Sequence, residues 1–542
     1  MSTLTPEEGV SLPTGGLDGP TAPPASPPTA SVPSTAPSTA PSTAPPAGDM
    51  GFDPQLKRLA FVVILGAIMS ILDTTIVNVA IDTLAKDFKA PLSTIQWVST
   101  GYLLALSMVI PLSGWAVERF GAKRVWIISL VIFLTGSALA GAAWSASALI
   151  AFRVLQGIGG GMIMPVGQTI LAEAAGPQRM GRVMSVLGVP MLLGPVLGPV
   201  LGGLIVDSFS WRWIFYVNIP IGIVAIIAAV KILPGHEKTD KVHRLDALGL
   251  ALLSPGLAAF VYGLSEAGQG SARTVWISVV IGVVLVAAFV VHALYTKGTP
   301  LIDVRLFANR AFSAAAATSF CFGAALFGAM LLLPLYYQVA RGESALSAGL
   351  LMAPQGIGAA VVMPLAGRLS DRFGPGKVVI TGLLVAMAGT LVYTDLGPHT
   401  SYVLLGFSLF VRGLGFGFVM MPAFAAAYQT LSRPQVPRAA TALNIVQRVG
   451  GSIGTALLAV VLEHQISVQL PHASGGLQAA TEIPEAVRVV IAGPLSTAFA
   501  NAFWWAFGMT AVALIPAFLL PRHPAAASPD GPPPDEALLI EA

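Results

Sequence analysis

Long apolar runs, each broken by a short polar stretch, set the organisation of this chain. Between residues 53 and 521 they centre near residues 70, 104, 134, 159, 193, 223, 255, 284, 323, 355, 385, 410, 451 and 508. Each is about 20 residues long, the length an α-helix needs to cross the ~30 Å hydrocarbon core of a bilayer at about 1.5 Å per residue. The pattern predicts fourteen membrane-spanning helices, and an even number puts both termini on one side. Residues 1–52 break the pattern: Pro, Ser, Thr and Ala dominate, as in SVPSTAPSTAPSTAPPAG, and no Lys or Arg precedes Lys57. Such a stretch cannot bury enough apolar surface to offset its conformational entropy, so it is expected to be disordered, as is the tail 522–542. It also lacks the basic start and apolar core of a secretory signal.

Composition sharpens this picture. Of the 542 residues, 55% are hydrophobic and 10% are charged, where a soluble domain carries roughly 25% charged residues. A soluble fold of this size cannot hide that much apolar surface, so the expected surroundings are the lipid bilayer. The formal charge of +3 is the balance left by 29 Lys and Arg, which in a soluble protein would hint at a nucleic-acid partner. Their placement says otherwise. With the N-terminus inside, 20 fall on inside segments and 6 outside (Lys86, Lys89, Arg212, Arg273, Arg341, Arg488), while Arg153, Arg412 and Arg448 lie within spans. A missed or invented span would reverse every later loop, so this bias tests the count independently. The basicity orients the spans, and no nucleic-acid partner is expected. The single cysteine, Cys321, has no disulfide partner, and the seven histidines show no ligand spacing. Neither a metal site nor a cofactor is expected.

The chain repeats itself. GWAVERFGAKRV at 114–125 aligns with GRLSDRFGPGKV at 367–378, an offset of 253, and FRVLQGIGG at 152–160 echoes VRGLGFG at 411–417, with Arg153 and Arg412 259 residues apart. Two duplicated six-helix bundles, 53–235 and 301–521, are expected, with two extra spans at 236–300. Repeated halves around a central cavity characterise secondary transporters.

These motifs resemble those of a known family. GWAVERFGAKR and GRLSDRFGPGK resemble the loop motif of the major facilitator superfamily, FRVLQGIGGG its arginine-bearing fourth-helix motif, and GVPMLLGPVLGPVLGG its fifth-helix antiporter motif. LDTTIVNVAI at 72–81 and WRWIFYVNIPIG at 211–222 look like signatures of the fourteen-span drug:proton antiporters of EmrB and QacA type. The resemblance covers everything between the tails. It implies an all-α polytopic membrane protein of the major facilitator fold, driven by the proton gradient without a cofactor. Small-molecule substrates and protons are the implied partners, and some members work with an envelope adaptor protein.

Asp73 stands out on physical grounds alone. A carboxylate inside a span is costly and is by default a functional candidate. Asp73 lies about 15 residues after Arg58 and about nine before Asp82, roughly 13 Å below the outer boundary by helical rise. Desolvation there favours the neutral acid, which makes proton gain and loss accessible. The alternative is an acid wetted at a helix end, as Glu173, Glu266 and Glu463 are expected to be. Arg153, near the outer end of the fourth span, has a side chain long enough to reach similar depth. The resemblance implies that it takes part in proton transfer near the first-helix acid; the alternative is that it satisfies helix-end carbonyls. Gln156, three residues on, is placed by its spacing as a helper and as a candidate for the cavity lining. Asn78, Asn444, Gln447, Arg448 and Arg412 add polar groups at membrane depth that line a cavity or bridge helices.

Gly188, Pro190, Gly194, Pro195, Gly198, Pro199, Gly202 and Gly203 give the fifth span a groove for close helix contact and a bendable backbone. The antiporter resemblance implies a hinge and seal between halves. In the repeated loop, Gly114, Glu118, Arg119, Gly121 and Arg124 and their echoes Gly367, Asp371, Arg372, Gly374 and Lys377 are expected to form charge pairs with helix ends that latch the inside closed. Glu118 stands where the family usually has Asp.

The expectation is a proton-coupled exporter of amphipathic compounds, often cationic, since a carboxylate in an apolar cavity suits a lipophilic cation. An exporter of one dedicated metabolite is the alternative within transport. A polytopic membrane enzyme would need a nucleophile and base or a metal cluster facing a leaflet, and the sequence offers neither.

Overall fold

The computed structural model describes residues 54–175, 179–235, 244–267, 271–296, 298–470 and 485–523. The tail 1–52 and the tail beyond His523 lie outside the described residues. Each predicted centre falls in its own helix: α1 (Pro54–Ile76), α2 (Leu92–Val109), α3 (Ala122–Gly141), α4 (Ala146–Ala175), α5 (Met180–Ser208), α6 (Asn218–Ile232), α7 (Ala247–Ser265), α8 (Ala272–Tyr295), α9 (Arg310–Leu335), α10 (Ala345–Phe373), α11 (Pro375–Leu391), α12 (Tyr402–Tyr428), α13 (Val436–Gln469) and α14 (Glu485–Ala517). Twelve helices among the described residues are long and apolar enough to cross a membrane, and a thirteenth forms if α2 is joined to Leu112–Phe120, which bends from it by 54°. The bend falls at Pro111, which cannot donate to the helical ladder and whose ring crowds the preceding turn. The 29-residue helix α5 occupies the fifth predicted centre.

The two ends of the bundle are told apart by chain direction. We call the end where α1 starts the base and the opposite end the top. In the first half α1 packs on α5 and α6, and α4 on α2 and α3; in the second α9 packs on α13 and α14, and α12 on α10 and α11. The same pairs thus recur eight helices later. Between halves, α5 packs on α10 and α12, and α13 packs on α4 and on Leu112–Phe120. The extra helix α7 touches both α2 and α13 and so covers the seam between the halves, and near the top the rings of Trp97 and Tyr262 stack at 5.7 Å. Its partner α8 is peripheral, with Trp276 68% and Val284 58% exposed.

Close glycine contacts set the register of the repeat. Gly157 of α4 abuts the Tyr102 carbonyl of α2, as Gly413 of α12 abuts the Gln355 carbonyl of α10; Gly159 abuts Phe133 of α3, as Gly415 abuts Ala386 of α11. Helices α2 and α3 therefore map onto α10 and α11 with an offset of 253, and α4 onto α12 with 256. The offset of 259 read from the two arginines is one turn out of register. Arg412 stands where Gln156 stands, and the counterpart of Arg153 is Leu409. The contacts overrule the echo because two backbones can approach this closely only at glycine, whereas an arginine head can be carried to one place from either of two turns.

Candidate functional site

Asp73 lies in the last turn of α1, seven residues before its span ends at Ala80, about 10 Å along the axis. It is fully buried. Arg153 Nη1 donates to Asp73 Oδ2 at 2.5 Å, and Gln156 Nε2 and Asn218 Nδ2 donate to Oδ1 at 2.8 and 3.1 Å. Three donors and no competing acceptor suit an ionised carboxylate. Arg153 is itself held from every side: Nε donates to the Val98 carbonyl at 3.2 Å, Nη1 also to Gln156 Oε1 at 2.7 Å, and the guanidinium lies 4.1 Å from the Tyr102 ring centre. Asn218 is in turn fixed by Ser137, which donates to the Phe215 carbonyl at 2.8 Å. Helices α1, α3, α4 and α6 thus converge on one acid. Asn218 was missed as a site residue, although it is the one amide in the apolar run of WRWIFYVNIPIG. Asn78 lies apart: it is exposed on the 3-10 segment Val77–Ala80 and accepts a bond from Ser99 at 3.1 Å.

The second half has no matching acid. Gly194 and Gly198 of α5 receive Ile71 and Thr75 of α1, and Gly450 and Gly454 of α13, each 256 residues on, receive Phe320 and Ala324 of α9. The residue midway between the α1 pair is Asp73, and midway between the α9 pair is Phe322. Phe322 meets Phe416 edge to face at 5.1 Å, and Arg412 lies 4.6 Å from the Phe416 ring centre. Arg412 donates to Gln355 Oε1 at 2.9 Å, and its Nε is buried with no partner among the described residues.

A stripe of α13 faces the first half at helical spacing. From base to middle, Arg438 donates to both oxygens of Glu118 at 2.7 and 2.6 Å, Thr441 Oγ1 lies 2.9 Å from Ser113 Oγ, Asn444 Nδ2 donates to Gln168 Oε1 at 2.6 Å, and Arg448 Nε donates to Ser107 Oγ at 3.3 Å. Gln447 instead lies along α9, its backbone and Cγ against Gly323. The pseudo-symmetric contact joins Asp371 of α10 to the start of α5: the backbone N–H groups of Gly181 and Arg182 donate to its two oxygens at 2.9 and 3.3 Å, and Arg182 Nε lies 3.5 Å away. An acid at a helix N-terminus meets free N–H groups and the positive end of the dipole. Glu118 and Asp371, 253 residues apart, thus reach Arg438 and Arg182, 256 residues apart. Gly114 and Gly367 allow the approach, abutting Arg438 and Arg182, while Gly121 and Gly374 end both helices at φ of 83° and 90°, where a side chain is strained.

The basic residues expected in this latch are placed elsewhere. Arg119, Arg124, Arg372 and Lys377 are exposed and outside these pairs. The bases that pair, Arg182 and Arg438, look in the sequence like ordinary loop charges, and Lys123 caps the Val230 and Leu233 carbonyls at the end of α6, at 2.8 and 2.7 Å. The glycines of α5 are also used differently from the expected seal between halves. Gly194, Gly198 and Gly202 face Ile71, Thr75 and Ile76 of α1 within the first half, Gly188 alone of the set faces Met363 and Met421 of the second, and Gly203 faces open space. Helix α5 runs unbroken through positions 190, 195 and 199, but the side chains of Pro190, Pro195 and Pro199 lie outside the described residues.

Known proteins share this organisation. The family described as the Major Facilitator Superfamily matches residues 63–455. A relative from Mycobacterium tuberculosis (strain ATCC 25618 / H37Rv), "Multidrug resistance protein B homolog", is 41% identical over 494 residues, 87% of this chain and 91% of its own length. The "Multidrug export protein EmrB" of Escherichia coli (strain K12) is 30% identical over 407 residues, 74% of this chain and 79% of its own. Among solved structures, the proton:xylose symporter XylE superposes with a TM-score of 0.57 at 14% identity, covering 85% of this chain and 94% of that one. Family match, relatives and recurring helix pairs agree that this chain is a multi-pass membrane protein belonging to the major facilitator superfamily.

Proposed function

We propose that this protein is a proton-coupled multidrug exporter, which moves amphipathic compounds across the cytoplasmic membrane by alternating access of two bundles, 53–235 and 301–521, with 236–300 as an added hairpin. The observation that carries the reading is the buried acid Asp73, held by Arg153, Gln156 and Asn218 in one half only. The printed names of the relatives, multidrug resistance and export proteins, support the substrate breadth.

In this reading the base is cytoplasmic, as the excess of Lys and Arg there favours, and both termini lie on that side. The bonds between halves cluster from the base to mid-membrane, which is the arrangement of a transporter closed to the cytoplasm and open to the top. When Asp73 takes a proton, its charge-assisted bond to Arg153 is lost. The glycine groove of α5, which seats Ile71 and Thr75 on either side of Asp73, carries the resulting shift of α1 to the base, where α5 starts against Asp371. Protonation at the top thereby unlatches the base.

Transport in inverted vesicles with an imposed pH gradient tests this. Wild-type protein is expected to accumulate substrate only with the gradient, and Asp73→Asn to abolish gradient-driven uptake. Equal uptake by Asp73→Asn, or uptake without a gradient, sinks the mechanism. A growth-protection screen separates a multidrug exporter from one dedicated to a single metabolite, by many protected compounds against one.

A further inference from the structure

Resting on the export reading above, we infer that the point of substrate recognition between the halves is Arg448, and that it selects amphipathic anions such as carboxylates or sulfonates. The one acid of the site is already engaged. Asp73 is fully buried and takes three donors from its own half, so both of its oxygens are already engaged and shut away from a cationic substrate. Arg448 is in the opposite position. It stands at the innermost end of the α13 stripe of hydrogen bonds and is partly exposed. Of its five N–H donors, the one bond formed is the long one, 3.3 Å to Ser107 Oγ, and no carboxylate pairs with it among the described residues. Every other member of the stripe has a close partner.

The surroundings hold one further unused donor. One turn toward the base, Gln168 spends its Oε1 on Asn444, and its Nε2 is buried with no partner among the described residues. A guanidinium at membrane depth is costly unless paired, and donors left unused in a low-dielectric interior call for an acceptor-rich guest. A planar carboxylate or sulfonate carried on an apolar body meets both demands, since the guanidinium fork matches its oxygens. A lipophilic cation would meet repulsion at the same place.

The test compares an anionic and a cationic probe, anilinonaphthalene sulfonate and ethidium, for binding to purified full-length protein and for gradient-driven uptake in phosphatidylcholine vesicles. Arg448→Gln is expected to weaken binding and uptake of the sulfonate about tenfold or more, the scale of one lost charge-assisted bond, while ethidium changes by less than about twofold. Arg448→Lys, which keeps the charge but not the fork, falls between the two. An equal loss for both probes marks Arg448 as structural and overturns the inference, as does no loss for either. Displacement of the sulfonate by added phosphatidylglycerol assigns the site to a lipid headgroup and overturns the substrate assignment. Sulfonate binding that depends on Arg448 without any wild-type uptake upholds the anion site and counts against the export reading alone.

Discussion

Arg412 occupies on α12 the place that Gln156 occupies on α4, one turn away from the counterpart of Arg153. The two halves therefore share a scaffold and differ in chemistry. In the first, Gln156 is the link between an arginine and an acid; in the second, the arginine fills that position itself, over Phe416, whose ring meets Phe322, and donates to Gln355. Among the described residues, the first bundle buries an acid, Asp73, at this depth, and the second buries Arg412.

The Asp73–Arg153 pair predicts a specific failure of additivity. Removing one member of a buried ion pair leaves an uncompensated charge and costs about 3–5 kcal/mol, whereas removing both is far milder. Arg153→Gln alone is expected to lower the unfolding temperature of the purified protein sharply, and the added Asp73→Asn to restore most of it. A double variant no more stable than Arg153→Gln shows that the two charges are not coupled as placed.

The base contacts predict a conformational bias. Glu118 makes a bidentate pair with Arg438, and losing one charged partner of such a partly buried pair costs about 1–3 kcal/mol. Glu118→Gln is expected to raise the population open at the base by roughly fivefold or more, read as the distance between spin labels on the two halves there. Asp371→Asn is expected to act in the same direction. Glu118→Asp, one methylene shorter, keeps the charge but loses one of the two bonds, so its shift is smaller. Unchanged distance distributions in all three variants refute the latch.

Two glycines of α5, five residues apart, predict opposite outcomes. A Cβ at position 198 would collide with the side chain of Thr75, which donates to the Gly194 carbonyl at 3.2 Å, whereas a Cβ at position 203 would meet nothing within 4 Å. Gly198→Ala is expected to destabilise the protein by about 1–3 kcal/mol through overpacking. Gly203→Ala is expected to be neutral or to stabilise it by up to about 1 kcal/mol from helix propensity. Thermal unfolding in detergent reads both, and a similar loss at each position removes the distinction.

The hairpin of α7 and α8 predicts a pH dependence. Asp246 caps α7 through the Gly249 amide and also receives His292 at 2.8 Å and the Leu301 amide at 3.1 Å. Burial by itself raises the carboxyl, but these hydrogen bonds outweigh it and hold Asp246 below its ordinary value. A carboxylate lowered on folding contributes stability that is complete above the unfolded value and fades as pH falls through the folded one. The anchor is therefore expected to hold at neutral and mildly acid pH and to weaken only below about pH 4. Asp246→Asn keeps a capping oxygen, so it is expected to lower stability by about 1 kcal/mol at neutral pH and to converge with wild type as the pH drops below that point. A wild-type difference that already vanishes at pH 6 contradicts the assignment.

Much of the architecture was legible in the sequence because it follows from local solvation. Each apolar run forms a helix because the bilayer forbids unpaired backbone, so all fourteen centres lie in helices. Asp73 could be singled out because an acid in an apolar run is anomalous wherever its partners are, and the repeated loop because its glycines and acid recur at one offset. What only the tertiary structure decided are pairings between residues far apart in the chain. Asn218 completes the Asp73 site from 145 residues away, and Arg438 reaches Glu118 across 320. In the sequence both look like an ordinary polar residue in a helix and an ordinary loop charge, and the bases beside Glu118 and Asp371 look the better partners. Local pattern sets which residues leave water; which donor then meets which acceptor depends on where helices cross, and that is set by glycine contacts whose register no single stretch of sequence contains.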